Sequence, residues 1–124
     1  MQHILSKNVF KILSKKDIRL ETFTIFLYYS NMRFLKAIDI GLGGINTCEV
    51  NTQRFIIECL SVPTHTVITA HNHPNKKIKP STNDKYVWKK LARICTDINL
   101  NLLTNLIYNE KNAYSSLDRK IYDL

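Results

Sequence analysis

Apolar residues recur along this chain with two periods, and the changes between them mark the elements. Residues 3–16 carry Leu5, Val9, Ile12 and Leu13 at helical spacing, which predicts an amphipathic helix. Residues 22–29 follow as a β-branched and aromatic run with Phe23, Ile25, Phe26 and Leu27, the pattern of a buried strand. Ser30 and Asn31 signal a turn, and residues 34–40 return as the second strand of a hairpin. Gly41, Gly43 and Gly44 mark an irregular stretch without the spacing of a phosphate-binding loop. Asn51 is placed to cap a helix carrying Phe55, Ile56, Cys59 and Leu60, which Val62 and Pro63 end. A strand over 65–70 comes next, then a loop to Pro80. A helix over 81–97 is predicted to bury Val87, Leu91, Ile94 and Ile98. Residues 100–108 and 113–117 read as closing strands with a turn over 109–112. The expected fold is a single α/β domain over residues 1–124, a mixed β-sheet with helices on its faces.

The candidate chemistry lies at the end of the strand over 65–70, where ligand sites sit in α/β sheets. His71 and His73 are two apart in Ala70-His71-Asn72-His73-Pro74, so on an extended segment they point to one side. Ser81 and Asp84 follow at the start of the next helix. Two imidazoles and a carboxylate with an open fourth position form the ligand set of a catalytic zinc. A plainer reading stands beside it: Ser81 as N-cap and Asp84 as third helical residue form a helix start. The two roles are compatible, because a first-turn carboxylate can point out of the helix.

Cys48, Cys59 and Cys95 are far apart and lie in apolar patterns, so they read as reduced core thiols in a cytoplasmic protein. No apolar run reaches the roughly 18 residues of a membrane span, and the first residues do not read as a secretory signal. The net charge of +8 points to an acidic partner. Lys76, Lys77 and Lys79 occupy the loop after the histidines, and Lys85, Lys89 and Arg93 form a stripe along one helix face, with Lys90 nearby. Such a stripe suits a nucleic-acid backbone or an acidic protein surface, and equally a solvated helix face.

The run His71-Asn72-His73-Pro74 followed by Pro80-Ser81-x-x-Asp84 resembles the JAMM motif of the JAB/MPN metalloprotease superfamily. It is most similar to the bacterial RadC-like branch, in which an Ala-His-Asn-His-Pro segment is typical. The resemblance runs from about Glu21 through the closing strands. It implies a JAB/MPN-like, cytidine-deaminase-like architecture. It also implies one zinc ion per chain, held by His71, His73 and Asp84, with a water completing the tetrahedron. Glu21, just before the first strand, would be the general base. Ser81 would hydrogen-bond the oxyanion or the water. The implied activity is hydrolysis of peptide or isopeptide bonds.

The chain departs from the family pattern in two places. Lys76 stands where the family loop often has glycine, and Thr104-Asn105 stands where many RadC-like proteins carry an Asp-His pair. The helix-hairpin-helix region of many relatives is not expected here, so the family's association with DNA repair carries over weakly. Three readings follow: a zinc hydrolase, a non-enzymatic module binding DNA or a protein through the lysine-rich face, and a metal-dependent nuclease. Two histidines suit magnesium or manganese poorly, which disfavours the last. A homodimer through the hairpin edge or the first helix is compatible with the pattern, and no membrane association is expected.

Overall fold

The computed structural model describes residues 8–42, 50–73 and 77–124. Its six strands form one sheet in the order β2-β1-β3-β4-β5-β6. In chain order the elements are α1 (Phe10–Leu13), β1 (Thr22–Tyr28), β2 (Phe34–Leu42), α2 (Thr52–Leu60), β3 (Thr66–Asn72), α3 (Thr82–Asp97), β4 (Asn101–Tyr108), β5 (Asn112–Ser115) and β6 (Lys120–Asp123). All pairings are antiparallel except β3 with β4. That parallel pair is joined by α3, as a crossover connection requires. The expected mixed α/β sheet is therefore the fold.

Every residue of β1 and β3 is buried, which requires cover on both faces. On one face Phe23, Ile25, Leu27 and Val67 pack with Phe55 and Cys59 of α2 and with Val87, Leu91 and Cys95 of α3. On the other, Phe26, Tyr28, Ile68, Ala70, Leu106 and Tyr108 pack with Phe10 and Leu13 of α1. Asn51 caps α2 by accepting from the Arg54 amide. Asn99, at φ 60°, ends α3. Its amide donates to the Thr96 carbonyl and that of Leu100 to the Cys95 carbonyl, the Schellman arrangement that satisfies the last carbonyls of a helix.

Several expected boundaries move. The first helix is described only over Phe10–Leu13, and Leu5 lies outside the described residues. β2 runs on through Gly41 to Leu42 because it keeps pairing with β1, while Gly43, Gly44 and Cys48 lie outside the described residues. Leu60 is 59% exposed. In α3 the fully buried stripe is Val87, Leu91 and Cys95, at four-residue intervals, while Ile94 and Ile98 are half-buried. The strand expected over 113–117 stops at Ser115, and the chain turns back as β6. No helix among the described residues is long and apolar enough to cross a membrane.

Candidate metal centre

The parallel pair sets the geometry. β3 ends at the carboxyl edge of the sheet and α3 begins beside that edge, so the last residues of the strand face the first turn of the helix. His71 Nε2 lies 3.0 Å from Asp84 Oδ1, and His73 Nε2 lies 3.4 Å from Asp84 Oδ2. The two imidazole nitrogens are 3.1 Å apart. The His71 and Asp84 side chains are 2% and 3% exposed, and that of His73 is 16% exposed. This group of metal-capable side chains converges within 4.8 Å.

α3 fixes the carboxylate. Ser81 Oγ accepts from the Asp84 amide at 3.0 Å and Asp84 Oδ2 accepts from the Ser81 amide at 2.8 Å, a reciprocal capping box. Burial pushes the Asp84 carboxyl up. Hydrogen bonds from His71, His73 and the Ser81 amide outweigh it and hold the group well below the usual carboxylate range. Both readings of Ser81-x-x-Asp84 thus coexist: one carboxylate oxygen caps the helix while the pair faces the imidazoles.

The imidazoles are oriented from behind. His73 Nδ1 lies 3.2 Å from the Lys77 carbonyl. A carbonyl only accepts, so Nδ1 is the donor in this contact. A carbonyl behind a ligating ring is a common support in metal sites. The His71 ring stacks on Phe23 with centroids 6.0 Å apart, and its buried Nδ1 has no hydrogen-bond partner among the described residues.

This donor set fits a metal ion. Ligand distances of about 2.0–2.1 Å in a tetrahedron imply ligand–ligand edges of roughly 3.3–3.4 Å. The His71–His73 and His71–Asp84 Oδ1 separations lie within a few tenths of an ångström of that, and His73 faces the other carboxylate oxygen at 3.4 Å. Two imidazoles and a carboxylate held below its usual range at this spacing can take a positive centre between them.

Glu21 immediately precedes β1. Phe23, two residues further on, pairs with His71 in the antiparallel β1–β3 ladder. Glu21 is half-buried. Sequence reading passed over Asn72, between the two histidines. Its side chain points to the opposite face and is buried. Asn72 Oδ1 accepts from the Thr22 amide at 2.9 Å, and Nδ2 donates to the Leu20 and Ile18 carbonyls. A polar residue inside a fully buried strand was the available signal, because such a group needs partners.

Thr104-Asn105 is a hydrogen-bonded seam in β4. Asn105 Oδ1 accepts from Thr69 at 2.6 Å, and Thr104 Oγ1 lies 2.8 Å from Ser115 Oγ. Lys77 and Lys79 are exposed in the loop between β3 and α3, and Lys76 lies outside the described residues. Lys85, Lys89, Lys90 and Arg93 are exposed on α3.

Comparison with known proteins agrees with this geometry. A family model described as "RadC-like JAB domain" matches residues 4–122. The chain belongs to that family. Proteins named "UPF0758 protein" from Shewanella pealeana and Shewanella halifaxensis are each 27% identical over 103 residues, covering 83% of this chain and 46% of theirs. The chain thus spans about half the length of these curated relatives.

Proposed function

We propose that the chain is a zinc-dependent hydrolase of peptide or isopeptide bonds, with a JAMM-type site. The observation that carries this reading is the convergence of His71, His73 and Asp84. His71, His73 and Asp84 hold the metal. A zinc ion held there would supply a Lewis acid for a carbonyl and would lower the pKa of a bound water to about 7. Glu21 takes the proton from the attacking water and passes it to the leaving nitrogen. Ser81 Oγ accepts from the Asp84 amide, which leaves its own proton to donate to the oxyanion.

Glu21→Gln separates chemistry from binding. Zinc content stays at the native level, and cleavage of a mixed peptide library, followed by mass spectrometry, is lost. Cleavage by Glu21→Gln at the native rate would remove Glu21 from the mechanism.

A second reading is a binding module for DNA or an acidic protein. It is supported by the exposed row of Lys85, Lys89 and Arg93, with Tyr86 58% exposed beside it. Charge reversal of the three residues would then weaken binding to a duplex and flatten its salt dependence. Equal binding by native and reversed chains would sink it.

A further inference from the structure

A cavity of about 420 Å³ is walled on one side by the loop segment between His73 and Ser81. One wall is the cross-strand pair Tyr114 and Ile121 of β5 and β6. The other is the loop segment Lys77-Ile78-Lys79-Pro80. Ile78 is 8% exposed while the lysines on either side of it are exposed. The segment therefore turns an apolar side chain inward and carries its charges at the rim. No acidic side chain lines the cavity among the described residues.

The cavity lies on the accessible side of the site. His71 and Asp84 are sealed, so the group reaches solvent past His73. The His73 ring is hydrogen-bonded to the Lys77 carbonyl, where the cavity wall begins. Pro80, at the other end of that wall, leads directly into Ser81.

We infer that the cavity is a substrate subsite for an extended polypeptide segment with a bulky apolar residue next to the cleaved bond and acidic residues flanking it. The inference rests on the hydrolase reading for the position of the bond. Apolar walls take the side chain, and Lys77 and Lys79 meet the acidic flanks.

The test uses a fluorescein-labelled peptide with two leucines flanked on both sides by glutamates. Fluorescence anisotropy follows its titration with the full chain, and mass spectrometry follows cleavage in parallel. Ile121→Asp is expected to weaken binding about tenfold, and replacing the leucines by serine to do the same. Ile121 is 61% exposed on a short edge strand, so this substitution leaves the core untouched. Lys77→Glu with Lys79→Glu is an independent variant, expected to weaken binding in a way that fades at high salt. Unchanged affinity in both variants, or no binding by the native chain, overturns the inference. Cavity-dependent binding without cleavage keeps the subsite and removes the hydrolase reading. Cleavage that ignores the variants and the leucines does the reverse.

Discussion

The side chain of Asn72 holds the peptide groups on both sides of Glu21. Its Oδ1 accepts from the Thr22 amide and its Nδ2 donates to the Leu20 carbonyl, at 2.9 and 2.5 Å. The last residue of β3, between the two histidines, thereby fixes the backbone on either side of Glu21. Asn72 faces the other side of the sheet and acts through the backbone, so it is a positioning residue.

Asn72→Ala leaves the Thr22 amide and the Leu20 carbonyl without these partners, for an expected loss of about 1–3 kcal/mol of stability. Hydrogen exchange at the Thr22 amide should quicken, while metal content stays at the native level. Asn72→Asp keeps the acceptor for Thr22 but loses both donations, so it should protect that amide partly. Native protection of Thr22 in the alanine variant would contradict the arrangement.

Ser81→Ala removes the acceptor for the Asp84 amide at the start of α3. The expected destabilisation is about 1 kcal/mol, measured by urea unfolding of the metal-free chain. Ser81→Gly should cost only a few tenths of that unit. Equal stability of native and alanine chains would show that the cap contributes nothing.

Cys59 and Cys95 are fully buried free thiols, pushed up by burial to about 12 and about 11. The thiolate is the reactive form. Peptide mapping after iodoacetamide treatment should find both unmodified in the native chain and modified after denaturation. Rapid native alkylation of either would contradict the packing between α2, α3 and the sheet.

Asp39 is half-exposed and bonded to Lys16 and Thr24. Burial raises its pKa, and the Lys16 and Thr24 bonds outweigh that, so it lies below the usual range. A depressed carboxylate adds stability above its unfolded value, about 3.9. That stability is lost as pH falls through the lower folded value. Asp39→Asn should therefore lower the Tm slightly near pH 7 and have no effect near about pH 2, with solvent screening keeping the change small. A larger effect at the acid end would contradict the sign.

Local chemistry was legible in the sequence where one element carried it. His71 and His73 share a strand face, and Ser81 and Asp84 share a helical turn, so their spacing announced them. Glu21 entered only through the family resemblance, because the strand it precedes meets β3 across about 50 residues of chain. Asn72 was missed for the same reason: its partners lie in another segment, and between two histidines it reads as a spacer. β6 carries no hydrophobic alternation, with Lys120, Ile121 and Asp123 exposed. It also follows a turn made by Arg119 at φ 57°, where neither glycine nor asparagine gives a signal. Cys95, read from its apolar pattern as a core thiol, is buried because the four-residue interval from Leu91 points it at the sheet, while Ile94 stays half-buried.

The central claim is that His71, His73 and Asp84 hold a metal ion. Elemental analysis of chain purified without chelator or a histidine tag, native and Asp84→Asn, tests it most directly. Asparagine can keep the cap by accepting from the Ser81 amide but removes the charge, so loss of metal cannot be blamed on an unravelled helix. About one zinc per native chain, absent from the variant, is the expected result. A native chain that takes up no metal even with added zinc, or a variant that holds it equally well, would contradict the account and leave Ser81 and Asp84 as a helix cap.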